Sequence, residues 1–435
     1  MIRKTEHFSR QESTVIKRRF WFDCAQLIIA LFIPLAIIAY TVLHNNTEMA
    51  IARANRLQDL KIADERHEHD VNLAEDEQEE KALVHYFDSL GKLLEKDEQL
   101  INQTNIVRFQ TLTALTQLQS KRKAFLIRSL IENKLIVITN GQHQLVDLSL
   151  ADLTNLDLTK NMLVNNELRC VGLGQTTLTN ASFRGMRLRG SSFQQAFLVN
   201  SDFSSTVTDL WSCGGAITGV NFREAILDHS IFDYGKYQKS SFADSSLNGV
   251  RMRYFSCSGC HFHNAQMNSM DLTGSEFSLA DRSAFFHMQS VNMSNSLLYQ
   301  TKFTNMDFAL ATLTMINATE TIFNISTFLF TSWEYSSLVR TVIYKCSLDH
   351  AKLKGSRWNR SKISYTSFFQ ADLSYVQFIN SECHYCVFNQ TILTRINFTN
   401  SSLDGSDFRE TTISYQELVV ARSLRNVTLP NGIVL

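Results

Sequence analysis

The sequence predicts a mainly β fold, a long solenoid of square coils, preceded by a transmembrane helix and an α-helical stalk and cap. Three observations point there. A large apolar residue recurs at every fifth position through most of the chain, an eleven-residue period precedes it, and a stretch near the N-terminus carries no charge. Composition agrees with such a stack. Phe occurs 30 times and Pro only twice, at Pro34 and Pro430, so the chain turns repeatedly without proline.

The five-residue period carries the fold assignment. From Leu148 to Phe203 every fifth residue is Leu or Phe; a second block runs from Phe222 to Phe277 and a third from Met293 to Ile413. Of 49 central positions 37 are Leu or Phe and all are apolar, although only 44% of the chain is apolar. The residue two places before each centre is usually small, as at Ala151, Ala181, Ala225 and Ala371, and the positions between are mostly polar. A period of five matches neither a helix at ~3.6 nor a strand at ~2. It matches a coil with four flat faces, one per pentapeptide, with the centre and the small residue pointing inward. Stacked coils pair through their backbones and leave open edges only at the two ends. About twelve coils follow, spaced ~4.8 Å apart.

Two register breaks interrupt the pattern. Phe203 and Phe222 are 19 apart rather than 20, and Phe277 and Met293 are 16 apart rather than 15. Loops are therefore expected at Trp211 to Gly215 and at Asp281 to His287, and loops on a regular rod are where binding is usually placed. Motifs such as Ala151-Asp152-Leu153-Thr154-Asn155 and Ala371-Asp372-Leu373-Ser374 resemble the pentapeptide-repeat family. That resemblance implies a right-handed quadrilateral β-helix over about two thirds of the chain and leaves function open. The segments Thr111 to Leu115 and Arg122 to Arg128 are similar to the helical module of membrane-anchored members.

Ahead of the repeat, no charged residue falls between Asp23 and Glu48, and Ala25 to Leu43 is an apolar run of 19 residues. About 20 such residues cross a bilayer core, so residues 20–44 are expected to bind the lipid bilayer as a single-pass helix. The run is long for a signal peptide, and no small-x-small cleavage site follows it. Arg3, Lys4, Arg10 and Lys17 to Arg19 precede the span, which puts the tail 1–19 in the cytosol and the rod on the exoplasmic or lumenal side. Eleven Asn-x-Ser/Thr sequons, among them Asn45, Asn102, Asn180 and Asn426, accord with export. The reversed topology, a cytosol-facing signalling platform, is the competing arrangement.

Residues 45–82 repeat every eleven positions: Met49, Leu60, Val71 and Ala82 share one position, and Ile51, Ile62, Leu73 and Val84 another. Such a period gives ~3.67 residues per turn and a slight right-handed supercoil. The stripe is thin and its flanks are charged, which suits a spacer helix and admits a homodimer through the stalk. Residues 83–142 carry a fuller amphipathic pattern and are expected to cap the first coil of the solenoid at 143–413. Residues 414–435 form the terminal cap, with a short helix around Gln416 to Leu424.

Little in the chain reads as reaction chemistry. Cys257-Ser258-Gly259-Cys260-His261 matches a haem-attachment pattern, and with His263 a zinc cluster. The repeat register separates these ligands, because Cys257 and Cys260 fall on inward positions while His261 and His263 fall on outward ones. The thiols are then small apolar filler, with a local Cys257–Cys260 disulfide left open. Cys383-His384-Tyr385-Cys386 repeats the arrangement, and His229, His287 and His350 are expected on the surface. No catalytic, cofactor-binding or metal-ligating residue is assigned, and the protein is expected not to be an enzyme but an interaction rod for a protein partner. Residues 143–435 hold 23 acidic and 23 basic side chains, so the rod lacks the acidic surface with which some family members imitate DNA, and no nucleic-acid partner is expected.

Overall fold

The computed structural model describes residues 5–94, 100–138, 144–159, 166–208, 213, 219–279 and 287–435, with side chains in its first helix from Phe32 and in its second from Thr104. Two compact units divide the chain, Met1–Gln78 and Glu79–Leu435. The first is occupied by helix α1 (Thr5–Leu94), which continues into the second. The eleven-residue stripe of Met49, Ile51, Leu60, Ile62 and Leu73 is exposed.

The expected membrane anchor does not stand. Among the described residues no helix is long and apolar enough to cross a membrane. The side chains of Ala25 to Leu31 and of the tail 1–19 lie outside the described residues. Without a span at 20–44 the single-pass topology is overturned, and the lipid partner and the exoplasmic placement of the rod are not supported.

In the second unit the end of α1 joins α2 (Leu100–Thr116) and α3 (Ser120–Glu132) over the first turn of a right-handed β-solenoid. Leu115, Leu118, Leu126, Ile127 and Leu130 are buried in the same apolar cluster as Leu148 and Leu153 of that turn. Polar ties fix the helices to the wall: Arg108 meets Asp147 at 3.2 Å, Lys123 meets Asp152 at 3.6 Å, and the Ser120 hydroxyl donates to the Asn155 carbonyl. The covered turn therefore presents no bare row of backbone groups.

Ten three-residue strands mark the solenoid among the described residues: β1 (Glu167–Arg169), β2 (Arg187–Arg189), β3 (Lys236–Gln238), β4 (Ser256–Ser258), β5 (Glu276–Ser278), β6 (Lys302–Thr304), β7 (Ile322–Asn324), β8 (Val342–Tyr344), β9 (Lys362–Ser364) and β10 (Glu382–His384). β1 pairs with β2, and β3 to β10 pair in chain order, all parallel. About ten turns thus carry a full strand, fewer than the twelve coils expected, because at Val207 and Ser402 the same face is bridged by a single residue. Every strand is centred on a predicted inward residue, and these are buried, from Leu168 to Cys383.

Parallel stacking places each inward residue on its equivalent in the next turn. On one face Phe193, Phe222, Phe242 and Phe262 stack ring on ring at 5.1, 4.9 and 4.8 Å. Phe368, Phe388 and Phe408 continue the column at 5.2 and 4.7 Å. These distances match the ~4.8 Å separation of neighbouring strands.

The small inward position solves a different problem. Its backbone N–H faces the interior, where an unpaired donor is costly. On the corner leading into the strand face, Ser or Thr one turn later supplies an acceptor: the N–H groups of Thr341, Ser361 and Ser381 donate to the hydroxyls of Ser361, Ser381 and Ser401 at 3.3, 3.2 and 3.1 Å. Each hydroxyl passes its own proton to a carbonyl of the preceding turn, as Ser381 does to Trp358 at 2.5 Å. Cys346 fills one such rung, accepting from the Ser326 N–H at 3.4 Å, and burial pushes its thiol pKa up to about 12.

Corners are made two residues after each centre, where φ is positive in residue after residue, for example Asn155 at 60°, Asn180 at 58° and Asn200 at 58°. A turn closes many of them, the N–H of Ala151 donating to the Leu148 carbonyl at 2.9 Å. Asn and Gly tolerate this left-handed backbone; most L-residues are strained there by ~1–2 kcal/mol.

Corners also absorb the insertions. Val207 pairs with Lys236, 29 positions on, and β5 pairs with β6 at an offset of 26, against 20 for most turns. Both excursions leave the wall at the corner that follows the strand face, three turns apart. Cys170, at that corner, is cross-linked to Cys213 within the first excursion, with Cα atoms 5.7 Å apart. A third excursion is hidden in the sequence: Asp152 pairs with Thr177, 25 positions on, and the predicted centre Leu163 lies outside the described residues. At the C-terminus the expected helix shrinks to α4 (Tyr415–Leu418), started by a capping box between Ser414 and Glu417, after which Ser423 and Thr428 bridge back to Ser402 and Asp407.

Two predictions test this construction by denaturant unfolding of the full chain. Phe242→Ala removes a ring stacked on both sides and should lower stability by about 3–5 kcal/mol. Corner chemistry should give opposite signs: Ile325→Asn, relieving a β-branched residue held at φ 51°, should raise stability by about 1 kcal/mol. Gly405→Ala should lower it by a similar amount or more, since φ there is +71° and a Cβ would fall 2.5 Å from the Tyr385 ring.

Candidate functional site

With the interior filled, function is left to the outer wall. Three features of it stand out. The first is a set of exposed corners. From just before the third strand to just after the ninth, the corner position, which the backbone would fill best with Gly or Asn, carries Tyr234, Tyr254, Leu310, Met315, Phe330, Tyr335 and Tyr365, with Tyr375 and Tyr385 beyond. Leu310 is 62% exposed, Phe330 58% and Tyr335 60%. Phe330 stacks on His350 at 4.7 Å, Tyr365 on Tyr385 at 4.9 Å, and Arg395 lies over the Tyr375 ring at 5.6 Å. Sequence reasoning passed over these residues because it scored only the centres; reading the same period two places later finds them.

The second feature is a histidine pair. His261 and His263 lie on the outer wall, as the register requires, and Cys257 and Cys260 point inward, where they are joined as a disulfide with Cα atoms 5.9 Å apart. The expected surface position of His287 is overturned. The excursion after β5 returns it directly onto His261, ring centroids 4.4 Å apart, and it is 2% exposed. His287 Nδ1 lies 2.9 Å from the Cys260 carbonyl, which can only accept, so Nδ1 carries the proton and Nε2 is left without a partner. Burial, and then the proximity of His287, hold the His261 pKa below the ordinary histidine value. Among the described residues no group of three or more His, Cys, Asp or Glu side chains could hold a metal. His229 is exposed, and His350 is half-buried against Phe330.

The third feature is an open groove of about 780 Å³ on the first turns, floored by Gly172 and Gly174 and edged by Gln144, Asp147, Gln175 and Gln194. Asp147 is committed to structure, accepting from the Ser149 N–H at 2.9 Å and its hydroxyl at 2.6 Å while facing Arg108. Amides dominate the rim, which can hydrogen-bond a ligand but supply neither nucleophile nor base. The carboxylates farther along are engaged in the same way. Arg251 meets Asp233 at 2.7 Å, Arg253 meets Asp271 at 2.6 Å and Arg340 meets Glu320 at 2.6 Å, each pair tying one turn to the next. Burial raises the Asp271 pKa, but the Thr273 hydroxyl and N–H and the Arg253 guanidinium outweigh it, and the group sits below the usual carboxylate range. Such exposed pairs add little stability individually.

Of the expected loops, Trp211 and its neighbours lie outside the described residues except Cys213, and Asp281 to Phe286 do as well. The Cys170–Cys213 link was not legible: the two residues are 43 apart, and Cys170 is a corner residue rather than a centre.

Pentapeptide repeats match this chain in eight copies, over residues 167–204, 240–278 and 381–414. Those three segments of the chain are pentapeptide repeats. Among solved structures it is similar to HetL, a pentapeptide repeat protein involved in heterocyst differentiation regulation from the cyanobacterium Nostoc sp., at 12% identity over 65% of this chain and 91% of that one, TM-score 0.25. A pentapeptide repeat protein of the Arabidopsis thaliana thylakoid lumen is 16% identical over 27% of this chain and 70% of its own, TM-score 0.18. The plasmid-mediated fluoroquinolone resistance protein QnrB1 is 15% identical over 62% and 95%, TM-score 0.19. No curated protein matches.

The histidine pair makes a pH prediction. His261 takes a proton less readily folded than unfolded, so below about pH 6.5 the unfolded chain gains protons first and stability is lost as pH falls. Thermal midpoints measured from pH 7.5 to 5 should decline, and decline less in His261→Gln. Equal slopes would remove His261 as the cause.

Proposed function

We propose that this protein is a non-enzymatic scaffold whose solenoid wall binds a protein partner through the apolar corners around Leu310, Phe330, Tyr335 and Tyr365. The observation that carries this reading is a mismatch between what the fold asks for and what the sequence supplies. At a corner with positive φ, Leu, Phe or Tyr costs stability relative to Asn or Gly. None of these side chains fills the interior, and several are more than half exposed. Elsewhere the same position is Asn, as at Asn155, Asn295, Asn305 and Asn400. Large aromatic and apolar side chains held on a stiff wall are what protein interfaces use as anchors, since little side-chain freedom is lost on docking.

Supporting the non-enzymatic half, the groove carboxylate of Asp147 is taken up by Ser149 and Arg108, Asp271 on the outer wall is paired with Arg253, and the buried thiol of Cys346 is held protonated.

Affinity capture from a lysate of the source cells, with the full chain as bait, tests the proposal. The Leu310→Glu, Phe330→Glu double variant should fold, because both side chains point to solvent. It should lose a protein that the parent captures by about tenfold or more, equivalent to ~1.4 kcal/mol. Capture at equal yield by parent and variant would refute the assignment of these corners.

A further inference from the structure

We propose that Cys383 and Cys386 form a disulfide across a corner of the solenoid, the counterpart of Cys257–Cys260. Two independent observations carry it. In sequence, Cys stands at a centre only at Cys257 and Cys383, and in both cases the next inward position, three residues on, is again Cys. Cys346, at an inward position, follows Ile343 instead and has no such neighbour.

In space, Cys257 is the middle of β4 and Cys383 the middle of β10, strands of one sheet with the same parallel pairing. Both are followed two residues later by the left-handed corner, Gly259 at 68° and Tyr385 at 54°. The backbone that holds the Cys257–Cys260 bond is thus repeated at Cys383–Cys386. There the two sulfurs stand 2.7 Å apart, closer than unbonded sulfur atoms rest, and both residues are almost wholly buried.

The geometry also explains why a centre would be Cys. A thiol is much smaller than the Leu or Phe usually found there, and the lost volume leaves the column underpacked. Linking it to the neighbouring inward sulfur draws both atoms into one group and ties the corner. The pair lies close to the last turns, where Ser406 already accepts from the Cys386 N–H at 3.2 Å and donates to the Cys383 carbonyl at 2.8 Å. The bond would hold this end of the stack against fraying.

The oxidant is a small-molecule disulfide, RSSR. One cysteine thiolate attacks a sulfur of RSSR, forming a mixed disulfide and releasing RSH with the cysteine's proton. The second cysteine then attacks the first cysteine's sulfur and expels the remaining RSH. Overall, two thiols and RSSR give one protein disulfide and two RSH, the cysteines being oxidised and RSSR reduced. Burial raises the Cys383 thiol pKa and closes access to reagents, so exchange belongs to the folding chain and the finished bond is protected.

The test uses the full chain, unfolded and reduced, then refolded in a mixture of oxidised and reduced glutathione. It is alkylated in denaturant without reductant and cut with trypsin. Ile363 to Arg395 is one tryptic peptide with Cys383 and Cys386 as its only thiols. The expected peptide carries no alkyl group and is about 2 Da lighter than the dithiol form, the two hydrogens having left with RSH. In Cys383→Ser, the same peptide should carry one alkyl group on Cys386. Recovery of the parent peptide with both cysteines alkylated, or cross-linked to any other peptide, would overturn the proposal.

Discussion

Everything in this solenoid depends on parallel stacking at one strand separation. Because each turn lies directly on the last, every inward side chain touches its own equivalent ~4.8 Å away. Residues are therefore chosen for how well they pack on themselves. Flat rings do so face to face, which is why Phe193 to Phe262 form an unbroken column. Hydroxyls do so by bonding back to the preceding turn, accepting from its N–H and donating to its carbonyl, so the interior can hold Ser361, Ser381 and Ser401 without leaving a donor bare. Burial alone would favour alanine at that position. The polar choice follows from the backbone N–H it must satisfy, since an unmet buried donor costs ~1–3 kcal/mol.

The same constraint divides the molecule into a part that cannot vary and a part that can. Centres and small positions are fixed by contact with two neighbours. Outward residues and corners answer only to solvent and to the backbone angle, and there the chain places Tyr, Phe and Leu where Asn would be less strained. The proposed binding role rests on that contrast rather than on any pocket, because the groove over Gly172 is open and its one carboxylate is committed to Arg108 and Ser149.

The inward half of the fold was legible because a centre is apolar whatever its neighbours are: Leu153, Phe242 and Trp333 all sit where the count of five puts them. Phase is all that such a count reads. Excursions that change the phase by one residue, after Phe203 and Phe277, were visible, whereas the five added positions between Asp157 and Ser182 keep the phase and were not. Contacts made by returning excursions were equally hidden, since nothing local to His287 says that it will land on His261, nor to Cys213 that it will reach Cys170. The apolar run Ala25 to Leu43 failed for a different reason. Hydropathy was read there over a window, and among the described residues no helix is long and apolar enough to meet it.

The two longest excursions depart from the same edge of the square, one after Thr208 and one after Leu279. Three layers separate them, about 14 Å along the axis. An edge is the only place where added chain leaves every ladder bond of the faces intact, so lengthening there is thermodynamically cheap. Such a scaffold can gain new segments one layer at a time, all aligned on a single line, and can diversify along that line while its column of rings stays untouched.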